Sequence, residues 1–231
     1  MTFVYDFIFL VFSILYFPYL VIKGKWHRGF KMRFGLFPKE LKQSLAQKPH
    51  IWIHAVSVGE VMAVMGLARK IKEAVPHVGI VLSTVTPTGY ALARTQMDDD
   101  DIVIYAPLDF SMVVNRFIHE IRPVLYVLAE TEIWPNMFSA LAKRGVPIVQ
   151  VNGRLSDKGF KRYYSVRFFL RPILSCVRMF CMQSTLDRER MLALGVPEAN
   201  VFAVGNMKLD QPEAPERFGL EDIFKGWKGS A

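Results

Sequence analysis

Ile51-Trp52-Ile53-His54-Ala55-Val56-Ser57-Val58-Gly59-Glu60 is the stretch on which the fold turns. Its apolar start reads as a buried strand. Its small and polar end opens a helical pattern through Ala63, Leu67, Ala68 and Ile71. The same unit recurs along the chain. Residues 78–83 run into Thr84 and Thr86-Pro87-Thr88-Gly89, and residues 102–105 lead to Pro107 and Asp109. Residues 124–129 lead to Glu130-Thr131-Glu132, and residues 148–151 to Asn152-Gly153-Arg154-Leu155-Ser156. Residues 201–204 end in Gly205-Asn206-Met207-Lys208. Strands alternating with helices predict an α/β fold, a Rossmann-like parallel sheet with flanking helices. All six polar clusters then share the carboxyl-end rim, where open α/β sheets bind ligands.

The 231 residues suffice for a full core. The expected organisation is an apolar segment at 1–22, a basic juxtamembrane segment at 23–50, a Rossmann-like domain at 51–210 and a tail at 211–231. The net charge of +8 is concentrated at the front, where residues 1–50 hold eight Lys/Arg against Asp6 and Glu40. The domain proper is nearly balanced, which argues against a nucleic-acid surface spread over it. Cys176, on an expected helix, and Cys181, on an expected strand, lack metal-ligand spacing and read as buried packing thiols. His27, His50, His77 and His119 do not cluster, so no metal site is indicated.

Residues 2–22 are apolar and aromatic, with Asp6 the only charge. About 20 such residues cross a bilayer core. Lys23, Lys25, Arg28, Lys31 and Arg33 follow at once, with Trp26 among them. These features predict one membrane-anchor helix, with the rest of the chain on the cytoplasmic face by the positive-inside rule. A cleaved signal peptide fits poorly, because there is no basic leader and no small-residue cleavage site. The competing reading is a buried core helix.

Glu60 opens a helix, where the macrodipole stabilises its anion. It reads equally as a cap or as a general base. There is no G-x-G-x-x-G, which argues against a nicotinamide or flavin site. Thr86 and Thr88 sit in a turn that either caps a helix or presents hydroxyls and amides to a ligand. Glu130 and Glu132 close together at a strand end are costly without a cation or a ligand. Arg154 supplies a cation that pairs with one of them or contacts a ligand. Residues 158–178 carry six Lys/Arg and no acid, interleaved with Phe160, Tyr163, Tyr164, Phe168 and Phe169. They read either as one long helix with a packed and a solvated face, or as a surface for anionic lipid. Asp98–Asp101 reads as a solvated loop, and His54 as a site residue or a satisfied histidine.

In order, His54-x-x-Ser57-Val58-Gly59-Glu60, Thr86-Pro87-Thr88-Gly89, Glu130-Thr131-Glu132-x-Trp134-Pro135-Asn136, Arg154-Leu155-Ser156 and Gly205-Asn206-x-Lys208-Leu209-Asp210 resemble the 3-deoxy-D-manno-octulosonic acid (Kdo) transferases of Gram-negative lipopolysaccharide synthesis. The apolar, then basic, start is also similar to that family's inner-membrane anchor. The resemblance implies the N-terminal, acceptor-binding half of an inverting, metal-independent GT-B glycosyltransferase without cofactor. Its acceptor would be a lipid A precursor, its donor CMP-Kdo, and its location the bacterial inner membrane. Carried onto this chain, Glu60 is the proton acceptor, and Glu130 and Lys208 stabilise the transition state. Position on the rim adds His54, Ser57, Gly59, Thr86, Thr88, Asp109, Glu132, Asn152 and Arg154 as substrate-binding candidates. The chain departs from the family after Asp210, where Gln211-Pro212-Glu213-Ala214-Pro215-Glu216 reads as a linker and leaves no room for a CMP-Kdo-binding domain. The alternative is a non-catalytic, membrane-bound lipid-binding module derived from such an enzyme. A GT-B enzyme with another sugar donor is a third.

Overall fold

The computed structural model describes residues 2–22 and 28–207. Helix α1 (Thr2–Ile22), a 3-10 turn (Arg28–Phe34) and α2 (Lys39–Ala46) precede the sheet. Then follow β1 (His50–His54), α3 (Val58–Ala74), β2 (Gly79–Thr84), α4 (Pro87–Gln96), β3 (Ile102–Tyr105) and α5 (Ser111–Ile121). The second half runs β4 (Pro123–Ala129), α6 (Pro135–Ala142), β5 (Ile148–Gly153), α7 (Asp157–Ser165), α8 (Arg167–Leu174), β6 (Met179–Met182), α9 (Thr185–Ala193) and β7 (Val201–Ala203). The seven strands are parallel and ordered 3-2-1-4-5-6-7.

Side chains alternate across the sheet and build two cores. Ile51 and Ile53 of β1 join Ile80, Leu82 and Val127 under α3 and α4. Trp52 points the other way, to Val81, Tyr126, Phe117 and Phe138. There it stacks near Phe117 and meets Tyr126 edge-on at 5.1 Å. Both faces are covered, which is why the strands read as continuous apolar runs.

Three expectations need correction. The domain starts well before residue 51, because Phe30, Phe37 and Leu45 are buried and Phe37 and Leu45 join the core. The single long helix, one of the two readings of 158–178, is two helices that part at Val166, where φ is −113° and ψ 15°. Cys176 and Cys181 are only half-buried. A seventh strand, β6, adds Met179-Phe180-Cys181-Met182 to the six expected runs, in line with the strand expected at Cys181.

Among the described residues no helix is long and apolar enough to cross a membrane, so the spanning anchor has no support here. Helix α1 instead docks on the domain through polar groups. The Asp6 carboxylate accepts from the Ser111 amide (3.1 Å) and hydroxyl (2.5 Å) and from Asn136 Nδ2 (2.6 Å). This places an anion at the amino end of α5, where the helix dipole favours it. Asp109 accepts from the amides of Asn136 and Met137, capping α6, and from Tyr5 of α1. Burial pushes the Asp109 carboxyl up to about 7, against the downward pull of those bonds.

This gives a signed prediction. Between the unfolded carboxyl value of about 3.9 and about 7, the folded chain holds a proton that the unfolded chain has released. Stability from Asp109 is therefore full at low pH and is lost as pH rises through about 7. Unfolding measured from pH 4 to 8 should show this decline in the wild type and not in Asp109→Asn. An identical pH slope in the two proteins would contradict it.

Candidate active site

The strand order reverses at β1. The chain leaves β1 towards β2 and β3 on one side and returns as β4 on the other, pairing His54 with Leu128. The carboxyl ends of β1 and β4 therefore stand side by side with no crossover above them, the crevice where such sheets bind ligands.

Ser57 caps α3 and accepts from the Glu60 amide. Glu60 folds back over that cap. Its Oε1 accepts from the Ser57 hydroxyl at 2.8 Å and its Oε2 from the Val56 amide at 2.7 Å. The side chain is 8% exposed. Burial raises its pKa, the two donors lower it, and the negative charges of Glu130 and Glu132 raise it again. The net direction is upward, and the shared field places three carboxylates around one crevice. A carboxylate made more basic in this way is suited to taking a proton.

His54 is buried, with Nδ1 2.9 Å from Ser83 Oγ. Trp52 Nε1 donates to the same oxygen at 2.8 Å. The Ser83 hydroxyl thus has a closer acceptor in His54 Nδ1 than in the Ile53 carbonyl at 3.4 Å. That network assigns the ring proton to Nε2. Nε2 has no hydrogen-bond partner and lies 3.7 Å from Glu132 Oε2, which itself accepts from Trp134 Nε1 at 2.9 Å.

Two strand ends carry backbone strain. Glu130, just after β4, has φ +61° and Asn152, in β5, has φ +55°, left-handed values that ordinary side chains rarely adopt. Such outliers concentrate at functional sites. Asn152 Oδ1 accepts from the Met207 amide at 3.1 Å, and its buried Nδ2 is unpartnered. Thr131 Oγ1 accepts from Gln150 Nε2 and from the Arg154 amide, so Thr131 fixes the loop that carries Arg154. Arg154 is exposed, and no salt bridge ties it to Glu130 or Glu132 among the described residues.

Thr86 is engaged as the cap of α4, accepting from the Gly89 amide at 3.1 Å. A Cβ on Gly89 would stand 2.7 Å from Thr84 Oγ1 and 2.8 Å from Thr86 Oγ1, so glycine is required for this approach. Thr84 donates to the Val56 carbonyl at 3.0 Å, bringing the amino ends of α3 and α4 together. Thr88 is exposed beside them, and Gly59 is exposed in the first turn of α3.

The crevice thus gathers Glu60, Ser57, His54, Glu130 and Glu132. Asp109 spends both oxygens on α6, a structural use. Lys208 lies outside the described residues. Ser83 is the residue that sequence reasoning missed, since a buried serine within a strand carries no signal until its partners are seen. The acidic loop is solvent-exposed at Asp98, Asp99 and Asp100, as expected, and Lys72 holds Asp98, Asp100 and the buried Asp101 at 2.7, 2.9 and 3.2 Å.

Residues 28–211 match the family model described as 3-deoxy-D-manno-octulosonic-acid transferase (kdotransferase). The chain belongs to this family. It is 36% identical over 160 residues to the 3-deoxy-D-manno-octulosonic acid transferase of Haemophilus influenzae, covering 69% of this chain and 38% of that protein. It is 37% identical over 166 residues to a bifunctional glycosyltransferase/methyltransferase of Fusobacterium nucleatum, covering 71% of this chain and 26% of that one. The Chlamydia pneumoniae transferase is 28% identical over 190 residues, 82% of this chain and 43% of its own length. The chain therefore spans well under half of these relatives. A crystal structure of UDP-N-acetylglucosamine 2-epimerase shares the fold with a TM-score of 0.53 at 10% identity, over 71% of this chain and 47% of that one.

Ser57→Ala removes a helix cap and one of the two hydrogen bonds to the Glu60 carboxylate. It should lower stability by about 1 kcal/mol in chemical denaturation and raise the Glu60 pKa further, read by NMR titration of the carboxyl. An unchanged or lowered Glu60 pKa would contradict the described pairing.

Proposed function

We propose that this chain forms the acceptor-side half of a GT-B glycosyltransferase that moves Kdo from CMP-Kdo to a hydroxyl of a lipid A precursor, inverting the anomeric centre without a metal. The observation that carries the reading is the Glu60 carboxylate, held at the crevice by Val56 and Ser57 and made more basic by burial and by Glu130 and Glu132. Family membership supplies the donor sugar.

In this reading Glu60 takes the proton of the acceptor hydroxyl as its oxygen attacks the anomeric carbon of Kdo. The bond from that carbon to the CMP phosphate oxygen breaks, and CMP leaves with the bonding pair. Positive charge gathers on the sugar as this bond lengthens, and Glu130 is the carboxylate assigned to stabilise it, as carboxylates do in glycosidases. Lys208, which follows β7 in sequence after Val204-Gly205-Asn206-Met207, offsets the charge on departing CMP. The unpartnered donors His54 Nε2 and Asn152 Nδ2 orient sugar oxygens or carboxylate, since a buried donor gains most from a ligand that completes it. Thr88 and Arg154, both exposed near the rim, are positioned for acceptor contacts. The site works at the cytoplasmic face of the inner membrane, where a lipid acceptor is presented.

Acceptor-dependent release of CMP from CMP-Kdo, measured for the chain together with a CMP-Kdo-binding domain, should fall by about 10²–10⁴-fold in Glu60→Gln, with acceptor binding retained. Transfer at the wild-type rate by Glu60→Gln would contradict the assignment of the base.

A further inference from the structure

Ser83 lies near the carboxyl end of β2, fully buried, and no step of the transfer chemistry uses it. A hydroxyl at that depth is costly unless it is satisfied. Strand register satisfies it. Ser83 pairs with His54 across β2 and β1, and Trp52 and His54, two residues apart on β1, share one face of the sheet. Trp52 Nε1 donates to Ser83 Oγ at 2.8 Å, His54 Nδ1 stands at 2.9 Å and the Ile53 carbonyl at 3.4 Å. The indole only donates, so the serine proton goes to Nδ1 or to the carbonyl, and Nδ1 is the closer acceptor.

The far side of the ring gives the same answer independently. His54 Nε2 lies 3.7 Å from Glu132 Oε2, beyond hydrogen-bond reach, and has no other partner. With the ring proton on Nδ1, a bare lone pair would face a carboxylate. With the proton on Nε2, an N–H faces it. Trp134 fixes both groups, since its ring meets His54 edge-on at 5.3 Å and its Nε1 donates to Glu132 Oε2 at 2.9 Å. The His54 side chain is 2% exposed and that of Glu132 37%, so the histidine is set and the carboxylate opens to the crevice.

An N–H donor beside a carboxylate acceptor calls for a group that accepts and donates at once, and a hydroxyl is such a group. A phosphate or carboxylate only accepts, and the charges of Glu60, Glu130 and Glu132 repel it. An ammonium only donates and would leave Nε2–H unpaired. We propose that His54 Nε2 and Glu132 hold one sugar hydroxyl in the crevice, and that Ser83 is the positioning residue that makes this possible by keeping the His54 proton on Nε2. Trp52 acts through Ser83, filling one of its lone pairs and so favouring the serine as donor. The covered Nε2 is reached when the exposed Glu132 side chain turns to admit the hydroxyl. The inference rests on the transfer reading for the sugar, and adds the group that the site selects and the residue that sets the selection. The hydroxyl belongs to the acceptor or to the transferred sugar, with the same chemistry in either case.

The first arm of the test reads the proton directly. Long-range proton–nitrogen correlation spectra of the full chain, labelled at histidine, tell a protonated ring nitrogen from a bare one. The wild type should carry the His54 proton on Nε2. Ser83→Ala should move it towards Nδ1, and Ser83→Thr, which keeps the hydroxyl, should restore it. A proton on Nδ1 in the wild type, or one held on Nε2 in Ser83→Ala, overturns the proposal. The second arm follows CMP release from CMP-Kdo by the chain together with a CMP-Kdo-binding domain. Ser83→Ala and Glu132→Gln should each raise KM for the same substrate about tenfold, the weight of one charge-assisted hydrogen bond, and by more than they lower kcat. A rise for the lipid A precursor places the hydroxyl on the acceptor, and a rise for CMP-Kdo places it on Kdo. Glu132→Gln changes a partly exposed side chain and carries the test even where Ser83→Ala does not fold. Unchanged KM for both substrates in Glu132→Gln, or a rise for different substrates in the two variants, overturns the proposal. Failure of the transfer reading shows elsewhere, as wild-type transfer by Glu60→Gln, a result that leaves the His54 spectrum unmoved.

Discussion

The rest of the structure depends on one constraint, the parallel pairing of β1 with β2 on one edge and β4 on the other. It turns β1 into the centre of the sheet and leaves the ends of β1 and β4 uncovered. A buried central strand has to be apolar, and Ile51, Trp52 and Ile53 are. The polar groups next in sequence are then forced to the rim, because placing them lower would strand them in a core with no partners. The crevice is a consequence of topology before it is a consequence of chemistry.

Three carboxylates sharing that crevice oppose one another, and the fold offsets their repulsion locally. Glu60 receives an amide, a hydroxyl and the amino end of α3. Glu132 receives the Trp134 indole. Glu130 is set at the rim by a left-handed backbone, as Asn152 is on the neighbouring strand. Strain of this kind costs of order 1–3 kcal/mol per residue and persists because β4 and β5 are locked in register on both faces of the sheet. Trp52, Ser83 and His54 form a buried polar relay that fixes the His54 ring, so the base of the crevice is rigid.

The sheet was legible because its strands are buried on both faces, which makes each an apolar run of its own. Six of the seven strands follow from that, and the carboxylates come with them because they are the first polar residues after each run. The strand β6 was less plain, since Met179 and Cys181 lack the β-branched signature. The break at Val166 was hidden because α7 and α8 continue one amphipathic pattern. Asp109 reads as a rim residue by position, yet its role is set by α6 and Tyr5, elements distant in sequence. Asp6 was the deepest case. As a lone charge in an apolar run it looks like a tolerated blemish in an anchor, and only the amino end of α5 shows it to be the docking group.

The most direct measurement is backbone hydrogen exchange with and without a lipid A precursor. The crevice account predicts slowed exchange at residues 54–60 and 130–136, with the clamped loop at 98–101, on the opposite end of β3, unchanged. Protection confined to that opposite end, with none at 54–60, would contradict it and move the acceptor away from Glu60.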